Sequence, residues 1–257
     1  MNFSQNFNAF KTIVIKEYLR FIRIWIQTVL PPAITTALYF VIFGNLIGSQ
    51  ISDIEGYSYM EYIVPGLILM AVITNSYANV VSSFYSAKFQ KSIEELLVSP
   101  IPNVLILAGY VSGGIARGLI VGVAVSLVAM FFTDIQVHDY LVTVVVFILT
   151  ATLFSLAGFI NAVYANSFDD ISIVPTFVLT PLTYLGGIFY SIDMLPEFWQ
   201  KVSLVNPILY MINSFRYGLL GISDTHLGVA LGLIVLFILA LFSYSMYLLN
   251  KGIGIKQ

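Results

Sequence analysis

The charged residues of this chain lie almost entirely between long uncharged, apolar runs. These runs cover residues 24–52, 62–87, 96–116, 118–133, 140–168, 171–192 and 225–250. A helix needs about 20 consecutive apolar residues to cross the roughly 30 Å hydrocarbon core of a bilayer. All the runs except 118–133 meet that length, so the pattern predicts an all-α membrane protein that crosses the bilayer several times.

Composition argues against a soluble domain with a large core. Only 9% of the 257 residues are charged and 59% are hydrophobic, whereas soluble domains carry about 25% charged residues. No gap between runs is long enough for a second domain, so we expect a single membrane domain over residues 1–257. The net charge of −2 gives no basic field, and we expect no nucleic acid partner.

Arg117 separates two shorter runs that are best joined into one span. The joined pattern predicts six transmembrane spans, at residues 24–47, 62–84, 104–131, 139–164, 172–190 and 227–249. Basic residues accumulate on the cytoplasmic side of membrane proteins. Eight of them lie before span 1, between spans 2 and 3 or in the C-terminal tail, and only Lys201 and Arg216 lie in the opposite loops. We therefore expect both termini in the cytoplasm.

The segment before span 1 has the pattern of an amphipathic helix. On a helical wheel, Lys16, Arg20 and Arg23 cluster on one side. The opposite side carries the apolar residues Phe10, Val14, Tyr18, Phe21 and Trp25. Such a helix lies in the membrane interface. The alternative is a basic anchor that only sets orientation.

Two connecting segments have unusual patterns. Residues 88–102 contain a short amphipathic helix that ends at Pro100 and Pro102, and it can only lie on the membrane or bind a partner. Residues 195–221 are interrupted at Asn206-Pro207. Each half is too short to span the bilayer and too apolar for water, which favours a re-entrant pair of helices on the outer side. An ordinary amphipathic outer loop is the alternative.

These segments carry a resemblance to a known family. Residues 94–100, Glu-Glu-Leu-Leu-Val-Ser-Pro, resemble the loop between spans 2 and 3 of the ABC-2 type permeases. Gly186-Gly187-Ile188-Phe189-Tyr190, Asn206-Pro207-Ile208-Leu209-Tyr210 and Arg216-Tyr217-Gly218 resemble the C-terminal signature of that family. The resemblance extends over essentially the whole chain, including the six-span layout.

The resemblance implies a site for each segment. Residues 88–102 would be a coupling helix that contacts a separate ATPase subunit through Lys88, Lys91, Glu94, Glu95, Leu96, Leu97, Ser99 and Pro100. The re-entrant outer helices would contain Pro196, Asn206, Pro207, Tyr210 and Arg216. The N-terminal amphipathic helix would be the connecting helix at the membrane surface.

The sequence lacks the motifs of an enzyme. No GxxxxGK[ST] phosphate loop occurs, so ATP and Mg would be bound by a partner polypeptide. The chain has no cysteine, and its two histidines, His138 and His226, have no ligand pattern around them. We therefore expect neither a catalytic nor a metal site, and no cofactor bound by this chain.

Several residues within the predicted spans are candidates for a translocation path or gate. Arg117 lies in the middle of span 3, where a charge costs about 2.5–3.5 kcal/mol. Span 2 has a polar face, and span 5 contains two prolines that would kink it. The candidates are Asn75, Asn79, Ser82, Arg117, Pro175 and Pro181. For each, a purely structural role in helix packing is the alternative.

Glycines recur every fourth residue on span 3. Gly114, Gly118 and Gly122 form a small-xxx-small row that lets a second helix approach closely. That helix belongs either to the same chain or to a second copy.

These expectations combine into one functional hypothesis. The resemblance implies the permease subunit of an ATP-binding cassette exporter in the bacterial inner membrane. It would form its path as a dimer with two ATPase subunits. We expect a dimer of two identical copies, and a heterodimer with a similar chain is the alternative. An ion-coupled transporter or channel is the alternative, although such proteins usually place acidic relays in the membrane and no Asp or Glu lies inside a span. The substrate is not determined by the sequence.

Overall fold

The computed structural model describes residues 2–48 and 53–254. Helices joined by turns and short irregular segments make up this part of the chain, together with one isolated β-bridge between Ile54 and Tyr57. The first half comprises α1 (Phe3–Arg23), α2 (Trp25–Tyr39) with a π-helical continuation (Phe40–Ile47), α3 (Tyr59–Phe89), α4 (Ser92–Val98) and α5 (Asn103–Ala129). The second half comprises α6 (Tyr140–Tyr164), α7 (Asp170–Val174), a π-helical segment (Pro175–Leu179), α8 (Thr180–Tyr184), a 3₁₀ turn (Ile192–Met194), α9 (Glu197–Leu204), α10 (Pro207–Leu220) and α11 (Leu227–Lys251).

Local sequence signals explain where these helices begin. Ser58 and Glu61 form a capping box at the start of α3, in which the Ser58 N–H donates to the Glu61 carboxylate over 2.9 Å. The Asp139 carboxylate accepts from a backbone N–H in the first turn of α6 at 3.0 Å. Asn206 caps α10, and Pro207 occupies its first turn, where a missing N–H costs nothing.

α3 is the central helix of the bundle. It packs against α5 on one side and α6 on the other, and it also contacts α10. Within its apolar 18-residue window, 83% of the residues are buried, against 17% for α2 and 11% for α11. α2 and α11 therefore present most of their apolar surface outwards, towards lipid or another chain.

Five helices among the described residues are long and apolar enough to cross a membrane. They are α2 with the start of its π-helical continuation, α3, α5, α6 and α11, and their bounds match predicted spans 1, 2, 3, 4 and 6. The predicted span at 172–190 differs. It is three consecutive five-residue helical pieces over residues 170–184, and the chain then turns. At 1.5 Å per residue this segment is about 22 Å long, shorter than the hydrocarbon core. The six-span topology stays a prediction.

The ends of the helices define two ends of the bundle. Asn103 at the start of α5 donates a hydrogen bond to Asn250 near the end of α11 over 2.8 Å, at the end of the bundle that also holds α4. At the opposite end, the Tyr57 hydroxyl donates to the carbonyl of Leu220 at the end of α10 over 2.6 Å. We call these the α4 end and the α10 end. The C-terminus of α11 thus lies at the same end as α4.

The glycine row on α5 packs within the subunit. A side chain on Gly114 would meet Val80 of α3 and Ser155 of α6, and one on Gly118 would meet Ser76 of α3. Gly122 lies similarly close to α3 and α6. The small residues therefore bring α5 against α3 and α6, which confirms the first of the two alternatives for this row.

Candidate functional site

Arg117 lines a cavity of about 350 Å³ between α2 and α3. Its side chain is partly buried, and Nε and Nη2 both donate to the Asn75 side-chain oxygen, at 3.3 and 3.1 Å. The structure therefore brings together two of the residues expected in a path, Asn75 and Arg117. A cavity of this volume is within the range of small-molecule sites.

The α2 wall of the cavity contains two adjacent prolines that the sequence reasoning did not single out. Pro31 and Pro32 lack the N–H groups that would bond to the carbonyls of Gln27 and Thr28, one turn earlier on the cavity side. Polar and apolar groups alternate around the lining, which includes Thr35, Thr36, Met70 and Thr74. A Pro-Pro pair inside an otherwise uninterrupted apolar run is the sequence signal that could have indicated this wall of the cavity.

Asn79 and Ser82, the other two polar candidates on α3, do not face this cavity. They bind Arg20 of α1, whose Nη2 donates to the backbone and side-chain oxygens of Asn79 at 2.9 and 2.8 Å. Arg20 Nη1 lies 3.5 Å from the Ser82 hydroxyl. These two residues therefore hold α1 against α3, the structural alternative considered for the polar face.

The predicted amphipathic helix is present as α1, but a different set of residues packs against the protein. Ile13, Glu17 and Phe21 are buried, while Tyr18 is 43% exposed although it was placed on the apolar face. Glu17 was missed entirely. The signal was its spacing of four residues from both Ile13 and Phe21.

Glu17 occupies a narrow site between α1, α3 and α5. Its carboxylate accepts from the Ser83 hydroxyl at 2.7 Å and lies 3.5 Å from Arg20 Nε. Gly113 of α5 leaves room for it, because a side chain there would meet the Glu17 Cβ at 2.7 Å. Burial raises the pKa of Glu17, and the positive charge of Arg20 and the Ser83 hydrogen bond oppose that rise.

The segment 170–184 changes its helical pitch at the first of its two prolines. A π-helical turn begins at Pro175, and the Thr180 N–H bonds to the Pro175 carbonyl five residues earlier. Pro181 lies at the start of α8. A small cavity of about 60 Å³ separates this segment from α3, and Pro175 and Thr74 both line it. Pro175 therefore faces the α3 surface that also borders the Arg117 cavity, whereas Pro181 lines neither cavity.

The expected coupling segment forms α4, a two-turn helix at one end of the bundle. Lys91 precedes it in a left-handed conformation with φ +58°, which turns the chain sharply out of α3. Ile93 is fully buried against the bundle, while Glu95 and Pro100 are exposed and Val98 is 87% exposed. Glu94, Leu96, Leu97 and Ser99 are half-buried. The segment is thus fixed by Ile93, with Leu96 and Leu97 also packed against the core, and it presents Glu95 and Val98 outwards.

Lys88 differs from the other residues expected in this contact because its side chain points into the subunit. It is 7% exposed, and Nζ donates to the carbonyls of Val163 and Ala165 at the end of α6, both at 2.7 Å. A cation at a helix C-terminus satisfies carbonyls that lack an intrahelical partner. Lys88 therefore joins α3 to α6 at the α4 end.

Residues 195–221 form two helices, α9 and α10, joined at Asn206. Pro196 immediately precedes α9, and the Tyr210 hydroxyl donates to the Leu204 carbonyl at 2.7 Å, which holds the two helices together. Asn206 also donates to the Leu182 carbonyl of α8 at 2.6 Å. The helix–turn–helix expected from the sequence is therefore present, attached to the end of the 170–184 segment.

Arg216 on α10 is completely buried. Its guanidinium lies 3.9 Å from the centre of the Tyr62 ring, and it donates to the Gly187 carbonyl at 2.5 Å and to the Asn213 side-chain oxygen at 3.1 Å. A cation over an aromatic face is attracted by the ring quadrupole. Arg216 thus links α10 to α3 and to the turn after α8.

Comparison with known proteins decides the family. The profile of the ABC-2 type transporter family matches residues 8–220. The chain belongs to this family. The inner membrane transport permease YadH of Escherichia coli strain K12 is 58% identical over 249 residues, which cover 97% of this chain and 97% of that protein. Nodulation protein J of Rhizobium leguminosarum bv. viciae is 21% identical over 92% of each chain.

The family assignment confirms the resemblance found in the sequence. Together with the five apolar helices and the name of the Escherichia coli relative, it identifies the chain as an ABC-2 transport permease, a multi-pass protein of the inner membrane. The Escherichia coli relative is named as a transport permease.

Proposed function

We propose that this permease is the membrane subunit of an ATP-driven exporter, which works as a pair of identical subunits with two copies of a separate ATPase. ATP and Mg bind to the ATPase, and this chain forms a single membrane domain with both termini in the cytoplasm. The observation that carries the proposal is the cavity around Arg117, which is lined by α2, one of the two least buried apolar helices among the described residues.

The translocation path follows the surface shared by α2, α3 and the 170–184 segment. The Arg117 cavity and the smaller cavity beside Pro175 have Met70, Thr74 and Ala78 of α3 in common, so the two adjoin. Thr35 and Thr74 are exposed on this surface. Hydroxyl groups in contact with lipid tails find no hydrogen-bond partner there, so this surface needs either water or another protein chain beside it.

A second copy of the subunit supplies that cover. The apolar window of α2 is only 17% buried, which leaves a large apolar and hydroxyl-bearing surface for contact across a two-fold axis. Two such surfaces placed face to face would enclose both Arg117 cavities in one path.

α4 is placed to transmit a push from the ATPase to the path. Ile93 is buried against the bundle, and the Ser92 hydroxyl donates to the Ala87 carbonyl at 3.2 Å, so α4 is tied to the end of α3. α3 carries Asn75, the hydrogen-bond partner of Arg117. Movement of α4 would therefore shift the wall of the cavity through one continuous helix.

Co-purification from native membranes tests the proposal with a matched pair of substitutions. Val98, the last residue of α4, is 87% exposed, and Val205 after α9, at the other end of the bundle, is 82% exposed. We compare the two variants at equal levels in the membrane. An ATPase should no longer co-purify with Val98→Asp, and it should still co-purify with Val205→Asp. Recovery that is insensitive to Val98→Asp, or no ATPase with the unsubstituted chain, would refute the proposed coupling.

A further inference from the structure

The Arg117 guanidinium has unused hydrogen-bond donors at the cavity. It carries five N–H groups, and Nε and Nη2 share a single acceptor on Asn75. Among residues 2–48 and 53–254, Nη1 has no hydrogen-bond partner, and it is not among the buried unpartnered atoms. Nη1 is therefore accessible from the cavity, so an occupant can reach it.

Within residues 2–48 and 53–254, no carboxylate forms an ion pair with Arg117. The one ion pair in this part of the chain joins Glu17 to Arg20. A positive charge in a low-dielectric site without a counter-ion is costly. A negatively charged occupant of the cavity would remove this cost.

A second copy of the chain cannot supply the negative charge at this depth. The sequence contains no Asp or Glu from residue 24 to residue 52, from 62 to 93 or from 96 to 133. These ranges contain α2, the cavity-lining part of α3 and all of α5. A ligand is therefore the source of counter-charge that this arrangement leaves open.

Part of the cavity wall is apolar. Pro31, Leu67 and Met70 line it beside several threonines. Leu30, Ile34 and Leu38 lie outside the lining, on the neighbouring face of α2, and are each about half exposed. A polar group placed at Arg117 could thus have an apolar chain that leaves along α2 without losing contact with apolar surface.

We propose that the Arg117 cavity binds the acidic group of an anionic amphiphile, such as a phosphate, carboxylate or sulfate on a long apolar chain, and that such molecules are the substrate class of this permease. The inference of a substrate rests on the proposed transport function, but the inference of binding does not. The guanidinium provides directional N–H donors for the anion, and the α2 side provides the apolar surface.

Binding is tested with the purified full chain in phosphatidylcholine nanodiscs, with n-dodecyl phosphate as the probe. Dodecyltrimethylammonium and inorganic phosphate are the comparison ligands. The first has the same dodecyl tail with a positive charge, and the second has the negative charge without a dodecyl tail. We expect dodecyl phosphate to bind at least about 10-fold more tightly than either. Equal affinity for the two dodecyl compounds overturns the proposal, and tighter binding of inorganic phosphate overturns its apolar half.

Arg117→Gln should weaken dodecyl phosphate binding by about 10-fold or more, the usual effect of losing a charge-assisted hydrogen bond. Arg117→Lys should keep most of the affinity. Arg23→Gln is the matched control, because Arg23 is exposed at the end of α1 and attracts anions only non-specifically. An equal loss in Arg117→Gln and Arg23→Gln refutes a specific site. If Arg117→Gln does not fold, the charge preference of the unsubstituted chain still decides.

The outcomes separate this inference from the proposed function. If the permease prefers dodecyl phosphate but no ATPase co-purifies with it, only the proposed transport mechanism is contradicted. If an ATPase co-purifies through α4 but the permease shows no charge preference, only the anionic substrate class is contradicted.

Discussion

The buried pair of Glu17 and Arg20 should respond to substitution in a way that depends on pH. In Arg20→Met, Glu17 loses its counter-ion but keeps the Ser83 hydroxyl as a hydrogen-bond donor. Removal of one partner of a buried ion pair costs about 3–5 kcal/mol. The Arg20 side chain is 30% exposed, so we expect a loss below that range, about 2–3 kcal/mol of unfolding free energy at pH 7.

The sign of the pH dependence follows from the pKa of Glu17. Burial raises this pKa above its ordinary value of 4.5, so the folded state holds the proton to higher pH than the unfolded state. The contribution of Glu17 to stability is therefore greatest below about pH 4.5 and falls as the pH rises through the folded pKa. Arg20→Met raises the folded pKa further, because Arg20 opposes the effect of burial. The destabilisation should thus be largest near pH 7 and shrink towards pH 5.

Equilibrium unfolding by sodium dodecyl sulfate in mixed micelles measures this effect. Glu17→Gln in the Arg20→Met background should restore at least half of the lost stability, because it removes the uncompensated charge. Arg23→Met, at an exposed position, is the control and should change little. A loss in Arg20→Met that is the same at pH 5 and pH 7, and that Glu17→Gln does not reduce, would refute the reasoning.

Three further substitutions test the packing of the bundle by thermal unfolding. Gly118→Val on α5 should prevent stable folding because α3 leaves no room for a side chain, whereas Gly232→Val on α11 faces open space and should be tolerated. Arg216→Lys should cost about 2 kcal/mol, because an ammonium cannot reproduce the flat contact with the tyrosine ring and the fork of hydrogen bonds. Lys88→Met should cost about 2–3 kcal/mol through two lost charged hydrogen bonds, while Lys91→Met, at an exposed position, should be neutral. Equal effects within either glycine or lysine pair would contradict the packing described.

The sequence predicted the long helices well because their signal is local. Uncharged runs of sufficient length fix a membrane helix regardless of its neighbours, and five predicted spans correspond to long apolar helices. The break between α9 and α10 also depends on local chemistry, because Asn206 caps α10 and Pro207 is its first residue. The segment 170–184 was predicted as longer than it is because apolar composition continues through the turn at Gly187.

The candidate site was predicted less completely, because side-chain partners depend on how helices rotate and pack. Asn75 and Asn79 are four residues apart on α3, yet one contacts Arg117 at the cavity and the other contacts Arg20 of α1. The direction in which Lys88 points depends on where α6 ends. Glu17 shares one side of α1 with Ile13 and Phe21, but the room for its side chain is left by Gly113 on α5, which the sequence of α1 does not reveal.

Photo-crosslinking from position 98 tests the central claim most directly. A photoreactive residue in place of Val98, introduced into the full chain in native membranes, should crosslink to a protein that mass spectrometry identifies as an ATPase with a phosphate-loop motif. The same residue in place of Val205, at the opposite end of the bundle, should not. Crosslinks to an ATPase from position 205, or none from position 98 when transport is active, would contradict the account of a permease driven through α4.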